Sequence, residues 1–279
     1  MKFLIAIAKF FWHPIYRISR PLVGKLNIYK ANQISECDLI SQQELLFHEI
    51  GIDWASAHRV VTELVGEHKD YKSHRSQHYE LFVAIAQSMK PKRILEIGTA
   101  DASFTSFLAR AFPDSLVETI DLPVNDKRFW NATDYESDIE RAVTSDFVNE
   151  SPEIRIRNEN LRSSPNIVFR ELNSLELSRL EGDKYDLIWV DGDHTFPVVA
   201  CDIANAIRLL ETGGVMMCDD IYLSGGRKSK WGSQETLNVL SAFEEAKMIT
   251  TSFVLKSIRP ERNVASRLKK HLAIVKLVS

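Results

Sequence analysis

The sequence predicts an α/β fold: a doubly wound, mainly parallel sheet of seven strands behind a helical N-terminal extension. Three observations carry this. Short β-type runs alternate with helix-like stretches from residue 93 onward, a pattern that implies parallel strands joined by crossover helices. The runs end in glycine or acid, as at Gly98, Asp121 and Asp191, and strand C-terminal ends are where open α/β sheets hold ligands. Two apolar runs, residues 187–194 (LIWVDGDH) and 213–220 (GGVMMCDD), close on paired carboxylates.

Residues 36–90 read as three helices. Leu39, Leu45, Leu46 and Ile50 share a helical face that Gly51 stops; Trp54, Val60, Val61, Leu64 and Val65 form a second; residues 76–89 form a third, ended by Pro91. The period then changes. Strands are expected at 93–97, 116–120, 166–170, 184–190 and 215–218, with helices at 102–112, 197–210 and 233–246. Two further β-branched runs, near 251–256 and 272–278, complete seven strands. The segment 122–165 breaks the rhythm with 44 positions, 15 of them charged, where a simple crossover needs a dozen or so. It reads as a lid over the site or a solvated insertion, with Phe129, Trp130 and Tyr135 at its start.

Composition narrows the class. With 279 residues, 44% hydrophobic and 26% charged, the chain suits one large α/β domain plus an extension. A net charge of −3 gives nucleic acid no electrostatic footing. Cys37, Cys201 and Cys218 form no CxxC pair and suit a reducing cytoplasm. Residues 1–35 carry Lys2, Lys9, Arg17, Arg20, Lys25 and Lys30 with no acid, among Phe3, Phe10, Phe11 and Trp12. The apolar run is too short to span a bilayer and lacks a signal-peptide core. Two readings stay open: an amphipathic helix that gives residues 1–30 a peripheral contact with an anionic membrane, or a helix packed on its own domain or on a second subunit.

Residues 94–103 (ILEIGTADAS) read as strand, tight turn and helix. Gly98 lets backbone approach a ligand closely, while the turn lacks both the P-loop and GxGxxG patterns. Glu96 beside it repels phosphate and suits a cationic or hydroxyl-bearing ligand. Downstream, Asp191, Asp193, Asp219 and Asp220 fall at two strand ends, and carboxylates gathered there need a cation or protons. Acids at strand ends also serve as helix caps, which leaves both roles open. His78 is read with His68 and His74 as a helix-surface residue, because their spacing is not HExxH.

The Glu-x-Gly turn followed by Asp121 at the end of the next strand resembles the class I S-adenosylmethionine-dependent methyltransferases, with their Rossmann-like sheet. The resemblance covers about residues 76–278; it makes 76–279 the methyltransferase domain and 1–75 the extension. It implies that Glu96, Gly98, Thr99, Ala100 and Ser103 surround S-adenosylmethionine and that Asp121 takes its ribose. Ala102 stands where the family usually has glycine. The pair of acidic strand ends is similar to the metal-dependent O-methyltransferases of the catechol, caffeoyl-CoA and macrolide-sugar type. That implies Mg²⁺, or another hard divalent cation, on Asp191, Asp219 and Asp220. His194 or Asp193 would act as base; Asp193 could instead contact the cofactor, and His194 could contact the cofactor or cap a helix.

The expected reaction is methyl transfer to a hydroxyl of a small-molecule or sugar acceptor in the cytoplasm. The loop 222–232, with Arg227, Lys228, Lys230 and Trp231, either grips an anionic acceptor or is a solvated basic loop. Alternatives are a metal-independent N- or C-methyltransferase and a non-catalytic scaffold on a cofactor fold; an NAD enzyme is disfavoured by the missing glycine fingerprint.

Overall fold

A computed structural model describes residues 36–65, 76–126, 128–129, 151–179, 184–223, 234–256 and 270–278. Helices α1 (Glu36–Glu49), α2 (Trp54–Val65) and α3 (His78–Met89) come first. Gly51, at φ 72°, turns the chain after α1, as glycine readily does. Phe47 of α1 and Ala57 and Val61 of α2 join Leu81, Phe82, Phe107, Trp189 and Leu272 in one buried cluster. The two leading helices and the sheet therefore share a core.

The sheet has seven strands: β1 (Arg93–Ile97), β2 (Leu116–Asp121), β3 (Ile167–Glu171), β4 (Tyr185–Val190), β5 (Leu210–Tyr222), β6 (Ile249–Leu255) and β7 (Lys270–Leu277). Their order is β3-β2-β1-β4-β5-β7-β6. The first five run parallel, and β7 lies antiparallel between β5 and β6. Ile94, Leu95, Leu187 and Ile188 of the central strands are fully buried, because both faces of a parallel sheet are covered. Helices α3 and α4 (Ser103–Ala111) contribute to the cluster on one face. Helices α6 (Val198–Leu209) and α7 (Gln234–Glu245) contribute to the cluster on the other.

The sequence expectations differ from the fold in three places. The segment 122–165 contains a helix, α5 (Pro152–Leu161), which starts on Pro152 and packs against α4 and β3; proline is well suited to a first helical position. Strand β5 extends well beyond the apolar run 215–218. His78 is half-buried rather than a plain surface residue: its ring stacks on Trp189 at 5.8 Å and meets Phe104 edge-on at 4.8 Å.

The basic segment 1–35, Trp130, Tyr135, His68, His74 and the loop 224–232 lie outside the described residues. Among the described residues no helix is long and apolar enough to cross a membrane, and Cys201 and Cys218 are free thiols.

Candidate functional site

The turn after β1 is a rigid cradle. Gly98 sits at φ 102°, and a Cβ there would overlap the Asp191 carbonyl and crowd the Gly192 nitrogen. The ends of β1 and β4 therefore meet only because residue 98 has no side chain. Asp121 Oδ2 accepts the backbone N–H groups of Thr99 and Ala100 at 3.1 and 2.9 Å, and its Oδ1 accepts that of Leu122 at 2.8 Å. Ala100 and Ala102 adopt left-handed φ of 47° and 58°, which L-residues populate at a cost of roughly 1–2 kcal/mol. That conformation gives a physical reason for a glycine preference at position 102. From α5, Asn160 Nδ2 donates to the Asp101 carbonyl at 2.8 Å and pins the turn from outside.

A cavity of about 570 Å³ opens at the C-terminal ends of β1, β2 and β4. Gly98, Ala100, Asp121 and Asp193 line it, as do Phe129 and Ile154 from the segment 122–165. Thr99 and Ser103 are not among its walls. Thr99 is buried behind the turn, its hydroxyl 2.7 Å from that of Thr119. The Ser103 N–H closes on Asp101 Oδ1 at 2.9 Å.

Glu96 also lies away from the cavity. It is 2% exposed and accepts hydrogen bonds from Thr105 and, at 2.6 Å, Thr119. Burial pushes its carboxyl up to about 8 against the pull of those two hydroxyls. A mostly neutral, enclosed acid supports the turn rather than touching a ligand. Asp202 of α6 is buried on the cavity wall, where burial raises its carboxyl to about 7.

The second cluster forms beside the cavity, where β4 and β5 end. Opposite Leu272, strand β5 carries the extra residue of a bulge: Cys218 pairs with Ala273 and Ile221 with His271, leaving Asp219 and Asp220 between. Asp220 takes a φ of 54° there. Adjacent strand residues ordinarily face opposite sides; the bulge lets both acids enter one cluster.

Lys256 and Lys270 also enter this cluster. Lys256 Nζ donates to Asp219 Oδ2 and Asp220 Oδ1, both at 2.6 Å, and Lys270 Nζ to Asp220 Oδ2 at 2.6 Å. His194 Nε2 lies 3.6 Å from Asp191 Oδ1 and 4.0 Å from Asp220 Oδ2. Asp193, by contrast, is exposed, and its Oδ1 accepts the Thr195 N–H and hydroxyl at 2.8 and 2.7 Å.

The charges sort themselves. Burial and the neighbouring Asp219 and Asp220 carboxylates push Asp191 well above the usual carboxylate range. Burial works the same way on Asp219, but the Lys256 ammonium outweighs it and keeps that carboxyl low. Burial holds the His194 imidazole below its ordinary value despite the nearby Asp220 and Asp219. Two lysines thus face the Asp219–Asp220 pair, with Asp191 and His194 beside it.

Residues 95–221 match the family model described as a methyltransferase domain. That span of the chain is similar to a methyltransferase domain. The strand order, with β7 inserted antiparallel between β5 and β6, is that of the class I S-adenosylmethionine-dependent fold. The chain is similar to cofactor-bound Rv0187 from MTB, with 19% identity over 88% of this chain and 98% of that one, at a TM-score of 0.49. It is similar to the O-methyltransferase TomG from Streptomyces achromogenes in complex with SAM, with 17% identity, 88% and 100% coverage and a TM-score of 0.45. The O-methyltransferase from Bacillus cereus in complex with SAH gives 16% identity, 86% and 97% coverage and a TM-score of 0.47. No curated protein matches the chain.

S-adenosylmethionine fits this cavity. The Gly98 cradle admits backbone-close contact, and Asp121 and Asp193 on the walls suit an ammonium, a sulfonium and ribose hydroxyls. A magnesium ion does not fit the Asp191, Asp219 and Asp220 centre as arranged. Mg²⁺ demands near-octahedral oxygen ligation, while Asp219 Oδ2 and both Asp220 oxygens are engaged by lysine. Among the described residues no three His, Cys, Asp or Glu side chains are set to hold a metal ion. The sequence expectation brought these three acids together but missed the two lysines. The available signal was the hairpin itself: an antiparallel β6–β7 pair beside β5 puts the end of one strand and the start of the other next to the β5 terminus.

Proposed function

We propose that this S-adenosylmethionine-dependent methyltransferase acts on a hydroxyl oxygen of a small-molecule or sugar acceptor, with His194 as the general base. The observation that carries the reading is a buried imidazole, kept neutral by its burial, 3.6 Å from an acid that lines the cofactor cavity. A neutral histidine within reach of an acceptor hydroxyl is a competent base. Asp193 is the weaker candidate, since its Oδ1 already serves the Thr195 turn; it belongs to the cofactor side.

In the proposed reaction the acceptor hydroxyl gives its proton to His194 Nε2 as the oxygen attacks the methyl carbon in line. The carbon–sulfur bond breaks and its electron pair stays on sulfur. This releases S-adenosylhomocysteine as a neutral thioether, together with the methyl ether. The rigid Gly98 turn and its Asp121 lock hold one reactant, and such positioning supplies much of the rate. Magnesium has no part in this proposal, because the carboxylates it would use are ion-paired.

A metal-free centre also suits an amine acceptor, and the product separates the two readings. Incubation with S-[methyl-¹³C]-adenosylmethionine and a panel of polyols, sugars, catechols and amines places the label on oxygen or nitrogen by its carbon shift. His194→Ala is expected to lower kcat by about 10²–10⁴-fold with little change in cofactor affinity. Full activity in His194→Ala, or label only on nitrogen, overturns the assignment.

A further inference from the structure

The β5 terminus presents two buried carboxylates, Asp219 at 5% and Asp220 at 9% side-chain exposure, and buried charge persists only when paired. The pairing comes from within the chain. Lys256 directly follows β6 and Lys270 opens β7. The Lys256 N–H donates to the Lys270 carbonyl at 2.9 Å, and the Lys256 carbonyl accepts the Gln77 N–H at 2.8 Å. Both lysines are thus held at the backbone, one by the other and Lys256 also by the start of α3. Their ammonium groups reach three of the four oxygens of Asp219 and Asp220. The remaining one, Asp219 Oδ1, accepts the Asp220 N–H at 2.7 Å. Every oxygen a cation would need on this pair is engaged.

We propose that Lys256 and Lys270 are a built-in counter-charge standing where resemblance to metal-dependent O-methyltransferases places Mg²⁺, so that this centre takes no divalent cation. They are positioning residues that hold the carboxylate pair. A hydrated dication at the same place would lie against two ammonium groups, a like-charge cost that Asp219 and Asp220 cannot offset while paired to lysine. The consequence for turnover, that it needs no metal, rests on the methyltransferase reading; the charge substitution itself does not.

Mn²⁺ binding to the full chain, followed by loss of the free-ion electron paramagnetic resonance signal, tests the substitution without using activity. Wild type is expected to show no saturable binding up to millimolar Mn²⁺. Lys256→Met with Lys270→Met is expected to gain a site at least about tenfold tighter, and adding Asp219→Asn should abolish that gain. Circular dichroism melts report whether each variant is folded; should the double variant fail, Lys270→Met alone is read in its place. Saturable Mn²⁺ binding by wild type that Asp219→Asn removes overturns the proposal. So does a folded lysine variant that remains silent, because the lysines are then not what excludes the ion. Absence of methyl transfer to any acceptor would count against the functional reading and leave the Mn²⁺ result intact.

Discussion

Replacing Glu96 with glutamine isolates the energetics of the turn that carries the cavity. Glu96 is enclosed between β1, β2 and α4, with hydroxyl donors Thr105 and Thr119 and no basic partner among its hydrogen bonds. Burial raises its carboxyl from 4.5 to about 8. The folded state therefore binds this proton more tightly than the unfolded chain does. Its stabilising contribution is full below pH 4.5 and is lost as pH rises toward 8. At about 1.4 kcal/mol per unit, the shift corresponds to at most roughly 5 kcal/mol; partial relaxation around the ionised form makes roughly 2–5 kcal/mol the expected range. Glutamine mimics the protonated acid in shape and removes the titration. Glu96→Gln is expected to match wild type near pH 5 and to melt roughly 5–10 °C higher at pH 8. Calorimetric or circular dichroism melts across pH 5–8.5 make the comparison. Parallel pH profiles for the two proteins, or a variant less stable at every pH, would refute the assignment of a neutral Glu96.

Two further outcomes follow from the same turn. Gly98→Ala drives a methyl group into the Asp191 carbonyl at a positive φ, and it should cost about 2–4 kcal/mol in urea unfolding and abolish cofactor binding by calorimetry. Asp121→Ala frees the N–H groups of Thr99, Ala100 and Leu122; a loss of about 10–100-fold in S-adenosylhomocysteine affinity is expected from charge-assisted bonds of this kind, and unchanged affinity would remove Asp121 from the cofactor site.

The sheet was legible because its signals are local. Runs such as 93–97 and 184–190 are apolar on both faces, and Gly98, Asp121 and Asp191 mark their ends. The first three helices followed from helical spacing alone. What escaped was nonlocal or masked by polarity. Helix α5 is rich in charge and buries only Ile154 and Arg157, so no apolar stripe announces it. The Arg157 guanidinium lies over the Phe129 and Phe169 rings at 5.2 and 4.9 Å, an anchor invisible to hydrophobic periodicity. Glu96 was assigned to the cofactor turn by its neighbours in sequence, but its burial under Thr105 and Thr119 is set by α4. The acids 191, 219 and 220 were found because each directly follows an apolar run in the sequence. Lys256 and Lys270 were not, because they reach those acids only through the antiparallel placement of β7.

The Lys256–Lys270 backbone bond has an architectural consequence. It is the neck through which the chain leaves the sheet after β6 and returns to β7, and both sides of that neck are fastened to the β5 terminus by ion pairs. The geometry of the Asp219–Asp220 pair is thereby tied to residues 256 and 270 at the neck itself, one just after β6 and one opening β7.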